Sequence, residues 1–249
     1  MPSKLNPMNH SRSARARRAV MALTLALAAL PVAAQHIRSA PSPEGCGETH
    51  NTYGPFDYRT AQASQRYIVE NAHYTHGVET LTRGATGAFG HDIGYTLAVF
   101  PNHSRAMQSM ERLAEKEKSD PPKEADMTVE CYYARGMAFA PDDMVFRMFY
   151  VAFLTRRNRL DDAHKFLGYV VEQSAESALT QFNAGLLYFD MKDYDQALIQ
   201  AHRAQAMGMT RKELRDRLAT VGRWKEADAA DAAASAPSPA ASAASQTSP

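Results

Sequence analysis

Residues 178–211, ALTQFNAGLLYFDMKDYDQALIQAHRAQAMGMTR, carry the pattern that decides the fold. The stretch reads as two helices, about 178–191 and 194–207, with small and aromatic residues at fixed places. Gly185, Tyr188, Tyr194, Ala197 and Ala204 stand at offsets of 0, 3, 9, 12 and 19. Ala163 lies 34 residues before Ala197, inside a similar block, Asn158-Arg159-Leu160-Asp161-Asp162-Ala163. Self-similarity at a period of roughly 20–50 residues marks stacked units that bury a continuous core between neighbours.

The block resembles a tetratricopeptide repeat. The resemblance implies that Gly185 and Ala197 stand where two antiparallel helices touch, and that Ala204 faces the next unit. Tyr188 and Tyr194 then fill the gaps that these small residues leave. With Gly185 as repeat position 8, Ala178 is position 1, and Met144 is position 1 of the unit before. Position 32 of the unit before that falls on Pro141, where the family commonly ends a helix. The phrase Ala140-Pro141-Asp142-Asp143 has a counterpart 40 residues earlier, Phe100-Pro101-Asn102-His103. Forty is one repeat plus six, and Ser119-Asp120-Pro121-Pro122-Lys123 reads as the insertion.

Repeats are therefore expected at 104–143, 144–177 and 178–211. Their helix pairs are expected at 104–117 with 126–138, 144–156 with 160–173, and 178–191 with 194–207. The middle unit departs from the pattern, with Val151 at the small position and Leu154 at the aromatic one. The implied fold is all-α: a right-handed solenoid of antiparallel helix pairs over 55–224. Helical stretches at Ala61–Asn71, Val78–Leu81 and Asp92–Phe100 would form an N-terminal extension. A polar-outside helix, Arg211–Val221, would cap the last apolar face, with Trp224 folded back onto it. Through phrases such as Gly54-Pro55-Phe56-Asp57-Tyr58-Arg59 the chain is similar to a group of exported proteobacterial tetratricopeptide proteins without an assigned activity.

In this family the first helix of each repeat lines a concave groove. The matching positions are Arg105, Gln108, Arg112 and Glu115, then Val145, Met148, Ala152 and Thr155, then Leu179, Phe182, Leu186 and Phe189. The groove is thus expected to be charged at one end and apolar over the rest. The Lys and Asn pattern with which chaperone-binding relatives clamp a terminal carboxylate is absent. Such a groove either takes an apolar peptide from a partner or is filled by the chain's own N-terminal region or a second copy. Met144–Leu154 is apolar nearly all round, which favours burial from both sides.

Outside the repeats the composition changes sharply. Met1–Arg18 is basic, Ala19–Leu30 is apolar, and Pro31-Val32-Ala33-Ala34 ends in small residues. That order is a secretory signal with cleavage after Ala34. Twelve apolar residues reach roughly 18 Å, short of a ~30 Å hydrocarbon core, so the segment is not a membrane anchor. The chain has 28 basic and 27 acidic side chains, and residues 1–34 hold five of the basic ones and no acidic one. Removing them leaves 23 basic against 27 acidic, net −4, which gives no electrostatic case for nucleic acid. Residues 35–54 read as an extended lead-in, and the Ala, Ser and Pro-rich tail, 225–249, as disordered. The expected location is the bacterial periplasm, with no stable membrane insertion.

The chain's two cysteines, Cys46 and Cys131, suit a disulfide in an exported protein; the alternative is a pair of buried free thiols. His73 and His76 are one helical turn apart, with His91 and His103 downstream, but zinc needs three or four convergent ligands. No metal site is therefore expected. Gly84, Gly87 and Gly90 lack the basic residue and preceding strand of a phosphate loop and read as a flexible connector. His50, Asp57 and Ser64 form a triad only on paper. The sequence therefore points to a protein-interaction module without catalysis or cofactor, with homo-oligomerisation through the groove as a possibility. The competing reading is an enzyme or metal-binding protein built on residues 50–103.

Overall fold

Short polar side chains cap four of the ten described helix starts. The computed structural model describes residues 45–46 and 53–226, which form ten α-helices and no strand. They are α1 (Ala63–Ala72), α2 (His76–Glu79), α3 (Phe89–Val99), α4 (Ser104–Glu117) and α5 (Val129–Phe139). The second half holds α6 (Met144–Arg156), α7 (Leu160–Gln173), α8 (Ala178–Asp190), α9 (Tyr194–Ala206) and α10 (Glu213–Thr220). The expected signal, 1–34, most of the lead-in and the tail beyond Glu226 lie outside the described residues.

Asp143, Ser177 and Asp193 each accept a hydrogen bond from the backbone N–H three residues on, starting α6, α8 and α9. Thr128 does the same for Cys131, which is why α5 begins three residues later than the apolar pattern predicts. At the start of α4 the cap is an imidazole: His103 Nδ1 accepts from Ala106 N–H at 3.3 Å. Ends are equally local. Lys118, Asn158 and Lys192 adopt left-handed backbone angles (φ 53°, 58° and 64°), each 14 residues after the first residue of α4, α6 or α8. The next N–H then turns back onto the helix: Ser119 to Ala114 O, Arg159 to Leu154 O and Asp193 to Tyr188 O, at 3.2, 3.0 and 2.9 Å.

The helices pack mainly on their neighbours in sequence, α6 on α7 and α8 on α9 most extensively, with α4 on α6 and α6 on α8 linking successive pairs. Phe146, Val151, Leu154, Ala163, Leu167 and Ala197 are fully buried in one core that runs from Tyr74 to Leu218. Gly185 permits a close approach of helices: a Cβ there would lie 2.3 Å from Leu214 Cδ2 and 3.4 Å from Ala197 O. Tyr188 is buried beside them, Ala204 is 1% exposed, and half-buried Tyr194 stacks at an angle on Phe189. A second, smaller cluster joins Ala61, Val69, Val99 and Phe100 to Tyr53, Phe56 and Tyr58.

Three local expectations change. Helix α2 ends at Glu79 because Leu81 takes a positive φ of 55°. Helix α3 starts at Phe89, a turn early, with Gly90 set so closely on Lys123 and Ala125 that a Cβ would overlap the chain. The glycine stretch before it is not a free connector. Buried Asp92 accepts from Ala85 N–H at 2.8 Å and from Thr86 N–H and Oγ1 at 3.2 and 2.5 Å. Burial works against that carboxylate's charge, but these donors outweigh it and hold its pKa below the usual value.

The cysteines are bridged. Cys46 and Cys131 form a disulfide with Cα atoms 5.3 Å apart, which ties the lead-in to α5. At the other end Trp224 packs edge-on to His202 of α9, with Arg215 of α10 over its ring.

Candidate functional site

Helix α6 is apolar on two faces, one wholly inside the core and the other only partly covered. Phe146, Val151 and Leu154 point inward and are fully buried. Val145, Met148, Phe149 and Ala152 follow the i, i+3, i+4, i+7 spacing of a second stripe. That stripe and Leu186 and Leu187 of α8 line an open cleft of about 300 Å³, with Asn183 as its polar member. At its edge Val145 is 54% exposed, and Leu179, one turn before Asn183 on α8, is 50% exposed. Apolar side chains so exposed and grouped mark a surface that gains by being covered.

The cleft continues at Val145 into a wider, polar hollow of about 690 Å³ at the start of α6. Arg59 stands on its rim, bonded to Asp142 at 2.9 Å and to Asp57 at 3.0 Å, with Asp143 3.6 Å away. The Arg59 guanidinium holds the Asp57 carboxyl down at about 2, against a smaller opposing effect of burial. Asn102 knits this corner together, its Nδ2 donating to Asp57 at 2.8 Å and to Asp143 at 2.9 Å. The rest of the rim is the end of α7 and the turn to α8, including Glu172 and Glu176.

The charged third of the expected groove is partly covered, although the Arg105 side chain stays 52% exposed. Arg112 donates to Glu79 O at 2.7 Å, Lys116 to Leu81 O at 3.0 Å, and Ser109 to Glu79 O at 3.1 Å. Arg105 sits 3.5 Å from Glu70 and 3.4 Å from Glu79, and Gln108 turns back to Ser104 O. Residues 70–81 therefore cover the face of α4, and its basic side chains hold that segment in place. The apolar remainder divides as well. Phe182 is 3% exposed beneath Arg211, and Phe189 packs against Tyr194 with Arg217 over its ring. Of the twelve groove positions named from the sequence, Val145, Met148, Ala152 and Leu186 share one cleft.

Residues 50–103 were the place to look for a reaction centre. His73 bonds Asp92 at 3.4 Å, and buried His103 stacks on Tyr58 at 3.9 Å with Nε2 3.4 Å from Glu70. Burial pushes the His103 pKa down, whereas the His103 hydrogen bond pulls Glu70 to about 2. Among the described residues no group of three or more His, Cys, Asp or Glu side chains is placed to hold a metal ion. His50 lies outside those residues, while Asp57 is committed to Arg59. A further perturbed carboxyl, Glu111, is raised chiefly by burial but bonded to Tyr133 and Arg156, and neither hollow is lined by it.

Phe149, Leu187, Asn102 and Asp92 were missed from the sequence. Phe149 and Leu187 were legible as the i+4 neighbours of Val145 and Asn183; Asn102 and Asp92 carried no signal beyond their turn positions. Compared with protein-family models, curated proteins and solved structures, the chain matches none.

Proposed function

We propose that this chain is an exported helical-repeat protein of the tetratricopeptide type, a right-handed solenoid that binds another protein and catalyses no reaction. The observation that carries the binding reading is the open apolar cleft between α6 and α8. An extended or helical apolar segment of a partner would lie on it, burying Val145 and Leu179. The repeat reading draws support from the equivalent left-handed turns at Lys118, Asn158 and Lys192 and from the close approach at Gly185. Export draws support from the basic, apolar, small-residue order of residues 1–34 and from the Cys46–Cys131 bridge, since disulfides persist in oxidising compartments. Among the described residues no helix is long and apolar enough to cross a membrane.

A photo-crosslinking amino acid placed at Val145, and at Ile199 on α9 as a control, tests the reading in cells. Ile199 is 41% exposed, so both probes are accessible. Adducts to a partner at Val145 and not at Ile199, abolished by Ala152→Glu, are expected. Equal labelling at both positions, or none at Val145, refutes the cleft as a binding surface.

A further inference from the structure

The apolar cleft and the polar hollow meet at Val145, so a bound segment long enough to leave the cleft there passes directly over the hollow's rim. That rim is acidic. Arg59 is its cation, and Asp57, Asp142 and Asp143 already share that guanidinium. Asp142 keeps its side chain 75% exposed despite the pairing. Glu172 and Glu176 line the same hollow and make no ion pair among the described residues. The backbone adds to this. Helix α7 ends beside the rim with no basic residue in its last turn, and only the neutral Gln181 amide donates to its last carbonyls, at 3.2 and 2.9 Å. A carboxylate at Glu172 is then the wrong charge for helix stability. An external cation would relieve that repulsion.

We infer that the occupant of the cleft is an amphipathic segment of a partner protein with Lys or Arg residues at one end. Its apolar side chains lie on α6 and α8, and its basic end lies over Asp142, Glu172 and Glu176. This rests on the cleft being a binding surface and adds the charge and direction of what it binds. The orientation follows from where the two hollows join: the basic end sits at the start of α6. At the far end of α6 the acids are each matched by an arginine: Arg156 pairs with Glu111, Arg157 with Asp120, and Arg159 with Glu130 and Asp162. The same field repels acidic peptides and anionic headgroups.

Two fluorescent helical peptides of about 14 residues, roughly four turns, provide the probe. Both carry the same leucine–alanine face; one ends in three lysines, the other in three glutamines. Fluorescence anisotropy with the full chain is expected to show the lysine peptide binding about tenfold more tightly at low salt. The difference closes at about 1 M salt, where the Debye length is near 3 Å. The double variant Glu172→Lys, Glu176→Lys, both sites solvent-facing, removes the preference and leaves the glutamine peptide within about twofold of its original affinity. Equal affinity for the two peptides overturns the charge inference but not the cleft. Failure of both to bind overturns the cleft reading itself. A dimer that dissociates as peptide binds places a second copy in the cleft and overturns the proposal of a basic partner.

Discussion

Gly185 offers a sharp test because two effects of opposite sign meet at one atom. Replacing a helical glycine by alanine stabilises an unobstructed helix by about 1 kcal/mol. Here the added methyl carbon would lie 2.3 Å from Leu214 Cδ2 and 3.3 Å from Gln200 Cβ. Carbon atoms prefer about 3.5–4.0 Å, so Leu214 must retreat by more than an ångström. That shift is resisted because Leu214, on α10, is only 1% exposed where it packs on α8 and α9. Overpacking of this kind costs about 1–3 kcal/mol, which outweighs the propensity gain. Gly185→Ala is therefore expected to destabilise the protein by about 1 kcal/mol. Leu214→Ala alone leaves a cavity and costs about 2–5 kcal/mol. In that background the obstruction is gone, and Gly185→Ala is expected to become stabilising by up to about 1 kcal/mol. Urea unfolding, followed by helical circular dichroism and Trp224 fluorescence, measures both legs of the cycle. If Gly185→Ala stabilises equally with and without Leu214, the close approach of α8 to the capping helix is not what requires glycine.

Other tests probe separate parts of the molecule. Replacing Cys46 and Cys131 by serine opens a bridge across 85 residues and is expected to cost roughly 4–5 kcal/mol; equal urea midpoints with and without reductant would contradict this. Asp92→Ala leaves the Ala85 and Thr86 amides without their acceptor, a loss of about 2–4 kcal/mol, with faster hydrogen exchange at those two amides as its signature. The Glu70 carboxyl is held at about 2, chiefly by His103. Its stabilisation is therefore complete above its ordinary value of 4.5 and is lost as pH falls toward 2. Allowing for its partial exposure, roughly 2 kcal/mol of acid sensitivity is expected across that window, and Glu70→Gln should flatten the curve there.

Helix content was legible because apolar and small residues recur at helical spacing over the whole central region, and periodicity is a local property. The starts of α6 and α9 were readable from Asp143 and Asp193, since a capping side chain acts within three residues of itself. Sequence reading did less well where a distant residue sets the outcome. Asp92 looks like an ordinary polar residue in a helix, yet it organises a loop six or seven residues before it. Arg105 and Arg112 look like a charged binding face, yet their partners are Glu70, Glu79 and a backbone carbonyl some thirty residues away. No periodic pattern encodes that pairing, because it depends on how the chain returns over α4.

The same division holds for the candidate site. Sequence alone determined that Met144–Leu154 has more apolar surface than one core contact can bury, because a helix apolar all round must meet neighbours on several sides. The repeat pattern also implied that Gly185 and Ala197 stand at a helix contact, where a Cβ on Gly185 would lie 3.4 Å from Ala197 O. Tertiary packing decided which part of that surface stays open. Residues 70–81 cover α4, and Arg211 and Arg217 lie over Phe182 and Phe189. Between them the stripe from Val145 to Ala152 lines an open cleft beside an acidic rim, with Val145 exposed and Met148 buried at its floor. A surface is open or closed according to what lies against it, and that depends on chain segments far apart in sequence.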